Sequence, residues 1–133
     1  MTSLFFDTNA LIYWTYPESL CHNEISKLLA TAADQSSLYA LASSLNEVYY
    51  ILCRHYMTEP EARESLRDIA NTFDLVDLTG PFVFGSIDSN EPDYEDGLIR
   101  VAAEALQADA IITYDQAAFK NSFVPKMTAA EAF

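Results

Sequence analysis

Asp93-Tyr94-Glu95-Asp96-Gly97-Leu98-Ile99-Arg100-Val101-Ala102-Ala103-Glu104-Ala105-Leu106 is the stretch around which the chain is organised. Leu98, Ile99, Val101, Ala102, Ala105 and Leu106 recur at helical spacing, which predicts an amphipathic helix with one apolar face. Asp93, Glu95 and Asp96 stand at its start. Acids in a first turn are common, because the N-terminal end of the helix dipole is positive. Taken alone they need no other role. Their company changes the reading: Asp7 and Asp115 each close a short apolar run, and Glu47 stands near the start of another helical pattern. Brought together, these residues would form a carboxylate pocket of the kind that holds divalent cations.

Reading outward from that helix, Ile111 to Tyr114 is a compact strand ending at Asp115. Gln116 to Phe119 reads as a helical turn, Ser122 to Pro125 as a last edge strand, and Ala129 to Phe133 as a terminal turn capped by Thr128. Toward the N-terminus, Ser3 to Phe6 is a buried strand ending in the polar turn Asp7-Thr8-Asn9, and Ala10 to Trp14 begins a helix that Pro17 breaks. Glu18 to Ala33 is a helix, Ser37 to Ala42 a strand, and Leu45 to Tyr56 a helix capped by Ser43 or Ser44. Thr58-Glu59-Pro60-Glu61 is a capping-box start for a helix whose apolar face is Ala62, Leu66, Ile69 and Phe73. Asp74 to Leu78 is a short strand, Gly80-Pro81 a turn, and Phe82 to Ile87 a short helix.

Strands that alternate with helices predict an α/β three-layer sandwich with a mainly parallel central sheet of about five strands. Such sheets bind ligands outside the carboxyl ends of their strands. Asp7 and Asp115 fall at those ends, and Glu47 and Asp96 fall in first turns of helices leaving the same edge. Topology therefore converges four acids.

The 133 residues predict one domain, residues 1–133. Seven basic residues against twenty acidic ones give a net charge of −13, which disfavours broad electrostatic affinity for nucleic acid and favours basic partners. Cys21 and Cys53 have no metal or redox spacing and read as buried thiols of a reducing compartment. The first basic residue is Lys27, so the start lacks a signal-peptide pattern. No apolar stretch approaches the roughly 20 residues of a membrane span. The expectation is a cytoplasmic protein.

At about 6 Å and an effective dielectric near 20, two like charges repel by roughly 3 kcal/mol. Four acids make six pairs, and their sum, as an upper bound, rivals the roughly 5–15 kcal/mol that holds a small domain together. Either some acids stay protonated or a cation neutralises them. The candidate ligands are all oxygens, with His22 and His55 read as surface or edge residues, so the cation expected is Mg²⁺ or Mn²⁺. A metal there suits phosphodiester hydrolysis, and it supplies local positive charge that the acidic chain lacks. The aromatics Tyr49, Tyr50, Tyr56, Phe82 and Phe84, at helical spacing, read as core or dimer contacts and not as base-stacking platforms.

These motifs carry a resemblance. Phe5-Phe6-Asp7-Thr8-Asn9-Ala10-Leu11-Ile12, Ser43-Ser44-Leu45-Asn46-Glu47-Val48-Tyr49-Tyr50, Asp93-Tyr94-Glu95-Asp96-Gly97-Leu98-Ile99, Ala110-Ile111-Ile112-Thr113-Tyr114-Asp115 with Phe119, and the closing Phe123-Val124-Pro125-Lys126-Met127-Thr128 together resemble a PIN domain. Among these it looks like the compact toxin ribonucleases of VapC type. The resemblance implies a Mg²⁺- or Mn²⁺-dependent endoribonuclease with a five-stranded, largely parallel sheet, usually a homodimer, with an antitoxin protein that blocks the acidic cleft. It implies Asp7, Glu47, Asp96 and Asp115 as the acidic quartet, Asp7 and Asp96 as direct ligands, and Glu47 and Asp115 holding waters or a second ion. Asn9 and Thr113 would orient carboxylates from behind. Asp93, one helical turn before Asp96, would either join the pocket or cap the helix, and the cap is the expectation. Gly97 stands where many relatives have Ala, and Tyr114 where a basic or amide residue is frequent. Arg54, Arg100, Lys120 and Lys126 are the basic candidates near the expected face. Competing readings are a catalytically silent PIN module, a phosphotransfer enzyme using Asp7 as nucleophile, which wants an Asp at Asn9, and a phospho-accepting receiver, which wants a late strand-end Lys.

Overall fold

The computed structural model describes residues 2–32 and 34–132. The elements in chain order are β1 (Thr2–Phe6), α1 (Thr8–Thr15), α2 (His22–Ala32), β2 (Ser36–Leu41), α3 (Ser44–His55), α4 (Glu59–Thr72), β3 (Asp74–Val76), α5 (Gly80–Ile87), α6 (Tyr94–Ala105), β4 (Ala110–Ile112) and β5 (Lys126–Met127). The strands form one sheet in the order β3-β2-β1-β4-β5, and every pairing is parallel. β1 is therefore central, and the order of connection reverses between β1 and β4.

Side chains alternate across the sheet because successive Cβ atoms of a strand point to opposite faces. Leu4 and Phe6, Leu38 and Ala40, and Ala110 and Ile112 pack on one face against Leu11, Ile25, Val48, Leu52 and Ile69 from α1 to α4. Phe5, Leu41 and Ile111 pack on the other against Leu98, Ile99, Ala102 and Ala103 of α6, with Phe82 and Val83 of α5 at its margin. Apolar residues on both faces explain why the strands read as continuous runs rather than alternating ones.

Several boundaries differ from the sequence reading, each for a local reason. The capping box at α4 is complete: Glu61 N donates to Thr58 Oγ1 and Thr58 N to Glu61 Oε1. The helix expected from Glu18 begins only at His22, because 17–21 is spent in turns in which Cys21 N donates to Ser19 Oγ; its expected end at Ala33 lies outside the described residues. Ser43 occupies the cap position of α3 but makes no capping bond, since its backbone is already helical. Gly80-Pro81 is no free turn: Thr79 Oγ1 accepts from Phe82 N, and both residues open α5. β4 ends at Ile112, because Tyr114 N leaves the ladder and donates to Asn9 Oδ1.

Gln116 to Phe119 is bend and turn rather than helix, with Phe119 at φ 63°. The edge strand is Lys126–Met127 and not Ser122 to Pro125. Ser122 Oγ is used locally by Val124 N, and Pro125 contributes only its carbonyl, which accepts from Ile111 N. In the terminal turn, Thr128 Oγ1 accepts from Glu131 N; Phe133, its expected end, lies outside the described residues. No helix among the described residues is long and apolar enough to cross a membrane.

α5 and α6 meet through glycines. A Cβ on Gly97 would fall 2.2 Å from Ser86 Oγ, and one on Gly85 would fall 3.0 Å from Val101 Cγ1. Ser86 is buried there, and its hydroxyl donates to Tyr94 O at 2.7 Å. Gly97 is thus a close-approach residue, and its helix penalty is the smaller effect. Gly97→Ala gains up to about 1 kcal/mol of helix propensity but forces an overpacking cost of roughly 1–3 kcal/mol. Denaturant unfolding is expected to show a net loss of about 1–2 kcal/mol, and Ser86→Ala in the same chain should recover part of it. An unchanged midpoint for Gly97→Ala would show that the interface yields freely.

Candidate active site

At the carboxyl edge of the sheet, beside the ends of β1 and β4, lies a pocket of about 530 Å³. Asp7, Glu47, Asp96 and Asp115 all line it, together with Asn9, Asp93 and Glu95. Asp7 directly follows β1 and caps α1: its Oδ1 accepts from Thr8 N at 2.8 Å, and its own N–H donates to Ile112 O. Its Oδ2 accepts from Thr113 Oγ1 at 2.8 Å. The same hydroxyl oxygen accepts from Asp115 N at 3.0 Å, so Thr113 braces both strand-end aspartates at once. Asp115 in turn accepts from Ala117 N and Ala118 N through Oδ1, which folds its own loop.

From the helical side, Asp93 caps α6 by accepting from Asp96 N at 3.0 Å. This sets Asp96 at the first turn, facing the strand ends. Glu47 comes from the first turn of α3. Asn9 has a different task from the one expected: its Oδ1 binds Tyr114 N and ties the backbone beside Asp115, with no carboxylate as partner. Tyr114 points away from the pocket, donating its hydroxyl to Glu24 Oε1 at 2.6 Å and stacking edge-on with Tyr13.

The electrostatics follow from placing acids where water is scarce. Asp7 is 3% exposed, and burial pushes its carboxyl up to about 6 against the opposing pull of the Thr113 and Thr8 hydrogen bonds. Burial and the charges of Asp7, Asp93 and Asp115 raise Asp96 to about 7. Glu47 is an exposed residue, yet partial desolvation, a hydrogen bond with Glu95 and the neighbouring charges raise it to about 7. Glu95 is a pocket acid that the sequence reading passed over as a first-turn residue; only its meeting with α3 reveals it.

A second layer, also absent from the sequence reading, holds the Asp115 loop to α6. Arg100 donates to Glu91 Oε1 (3.4 Å), Glu104 Oε2 (3.4 Å), Asn90 Oδ1 (2.6 Å) and Asn121 O (3.0 Å). Glu91, with its side chain only 1% exposed, also accepts from Phe119 N at 2.8 Å. Lys126 Nζ donates to the carbonyls of Asp115, Gln116 and Ala118 at 2.7–3.0 Å. Arg100 and Lys126, expected near a substrate face, are thus engaged in building the site.

Among the described residues no three Asp, Glu, His or Cys side chains are gathered tightly enough to form a ready metal cage. The donor set nonetheless suits a hard divalent cation. It is all oxygen, it is partly desolvated, and it lines a space wide enough for an ion that keeps several of its waters, as Mg²⁺ does.

Comparison with known proteins bears on the fold. Several solved structures share the fold. VapC20 of Mycobacterium tuberculosis, a toxin that cleaves the sarcin-ricin loop, is similar at 13% identity and a TM-score of 0.71, over 84% of this chain and 89% of that one. A chain of VapBC2 from Rickettsia felis, bound to a DNA fragment from its promoter, is similar at 15% identity and 0.74, over 96% and 98%. A chain of FitAB bound to IR36 DNA is similar at 14% identity and 0.73, over 95% and 94%. No curated protein sequence matches significantly. The PIN domain family model matches residues 3–117, and with that match across most of its length the chain belongs to the PIN-domain family.

Proposed function

We propose that the protein is a divalent-cation-dependent endoribonuclease, a single PIN domain spanning residues 1–133, acting in the cytoplasm as the toxin of a toxin–antitoxin pair. The observation that carries this reading is the pocket in which Asp7, Glu47, Asp96 and Asp115 converge, with Asp7, Glu47 and Asp96 raised toward neutrality. Asp7 and Asp96 would hold Mg²⁺ or Mn²⁺ directly, and Glu47 and Asp115 would hold its waters or a second ion. The ion supplies a water of lowered pKa and positive charge against the scissile phosphate and the leaving oxygen. The chain's own part is placement. Thr113 fixes the Asp7 carboxylate, Asp93 sets the first turn that presents Asp96, and Asn9 pins the backbone beside Asp115. In the ion-free pocket burial and the neighbouring carboxyls raise Glu47 to about 7, and a bound cation would favour its charged form.

A phosphotransfer role for Asp7 has less support. The position that would carry its acid partner is Asn9, and that side chain is occupied by Tyr114 N. An antitoxin partner is supported by the paired complexes among the similar structures, and the charge of −13 suits a basic partner segment. A homodimer is supported by α5, where Phe84 and Ile87 are 69% and 60% exposed.

Two outcomes are expected. Purified protein should cleave single-stranded RNA with Mn²⁺ or Mg²⁺, not with EDTA, and Asp96→Asn should lower the rate by at least about a hundredfold, in the range for loss of a group that stabilises transition-state charge. Metal-free wild type that neither binds Mn²⁺ nor cleaves would leave a silent binding module.

The second concerns pH. The raised acids hold protons more tightly folded than unfolded, so their contribution is fully present below about pH 4 and is lost as pH climbs through about 6 to 7. For Asp7 alone the rise from 3.8 to about 6 corresponds to about 3 kcal/mol. In EDTA, Tm should fall by about 5–10 °C between about pH 5 and about pH 8. Mn²⁺ should restore it at the upper pH and do little at the lower one, and Asp96→Asn should flatten the EDTA profile. A Tm that rises with pH in EDTA would contradict the electrostatic account.

A further inference from the structure

The charge problem posed by an RNA substrate sharpens once the cations are followed. Arg63 and Arg67 pair with Glu59 and Glu64 along α4. Arg100 and Lys126 are engaged in bracing the Asp115 loop. Among the described residues, no Lys or Arg lines the acidic pocket. Lys27, Arg54 and Lys120 are exposed but line neither the pocket nor the groove beside it, so at the pocket itself this chain offers the phosphates no basic side chain.

Next to the acidic pocket, and sharing Thr8, Glu47, Glu95 and Ile99 with it, runs a second groove of about 480 Å³. It too lacks Lys and Arg among its lining residues. Tyr50 of α3 and Tyr94 of α6 line it, 56% and 46% exposed, with Leu78 beneath and the amide of Asn46 alongside. Tyr50 is therefore not a core residue. Its hydroxyl accepts from Arg54 Nη1 at 3.1 Å, and the guanidinium lies 5.8 Å from its ring centre. Exposed aromatic rings beside a hydrogen-bonding amide match what unpaired bases need, namely a face to stack on and a partner for an edge.

We infer that this groove is a subsite for unpaired nucleobases of single-stranded RNA, with Tyr50 and Tyr94 as stacking platforms that position the neighbouring phosphodiester over the acidic pocket. The inference rests on the nuclease reading and gives it a substrate class: the chain holds RNA by its bases and leaves phosphate charge to the bound cation. Binding of this kind depends weakly on salt.

The test is anisotropy of a labelled single-stranded oligoribonucleotide, with Ca²⁺ in place of Mn²⁺, alongside cleavage kinetics and Mn²⁺ calorimetry on the same variants. Tyr50→Ala and Tyr94→Ala should each weaken affinity about tenfold, entering KM more than kcat, with Mn²⁺ affinity unchanged. Tyr50→Phe and Tyr94→Phe keep the ring and should restore binding. Wild-type affinity should fall less than about tenfold between about 50 and 200 mM salt. Alanine variants that bind RNA like wild type, or wild type that binds no RNA, would overturn the inference; so would variants that lose only self-association or a protein partner, which would assign the groove to a protein contact. Metal- and Asp96-dependent cleavage that ignores both tyrosines would leave the nuclease standing without the subsite. Tyrosine-dependent RNA binding without cleavage would leave the subsite standing without the nuclease.

Discussion

A carboxylate buried where two parallel strands part is the constraint on which the site depends. Asp7 sits at the C-terminal end of the central strand, nearly without solvent, with other acids facing it across one pocket. Hydrogen bonds from Thr8 N and Thr113 Oγ1 favour its charged form, but burial outweighs them and leaves the carboxyl raised. A fold selected for stability alone would place an apolar or neutral residue there. Keeping the acid costs stability near neutral pH and leaves the pocket short of positive charge, a deficit that a bound cation would remove.

The surrounding structure reads as bracing for this arrangement. Thr113 links the ends of β1 and β4 through one hydroxyl, Asn9 pins the backbone of Tyr114, and Lys126 gathers three carbonyls of the Asp115 loop. Behind them Arg100 and Glu91 tie that loop to α6, which carries Asp96. A buried ion pair is weak evidence for stability in itself, since desolvation offsets much of its attraction. Here its geometric effect is visible: the same Glu91 carboxylate that meets Arg100 holds Phe119 N, so the two halves of the acidic pocket share one clasp. The glycine contact between α5 and α6 serves the same end, because Ser86 then reaches the carbonyl of Tyr94 in the first turn of α6.

Much of this was legible in the sequence. The apolar runs before Asp7 and Asp115 marked strands, the helical spacing after Asp96 marked α6, and α/β alternation brought their ends to one edge. The capping box at Thr58 and the cap at Asp93 were readable because capping is local chemistry. What depended on distant partners was not. Nothing in Glu91-Pro92 announces a buried carboxylate, and nothing in Glu95 announces its meeting with Glu47. Lys126 and Arg100 looked like free cations because a sequence shows charge but not the carbonyls and carboxylates that absorb it. Tyr50 fell on a helical stripe that reads as core, and only the sheet's edge shows that its ring faces an open groove.

A cation bound here would compete with the protons of the raised carboxyls for one pocket. Calorimetric titration of Mn²⁺ into metal-free protein, run near pH 6.5 in buffers of differing ionisation enthalpy, measures this directly by counting the protons released on binding. Release of about one proton or more per ion is expected, with affinity rising as pH rises through about 6 to 7. Binding without proton release, at an affinity indifferent to pH, would mean that the carboxyls are already ionised, and the constraint from which the site has been derived would not exist.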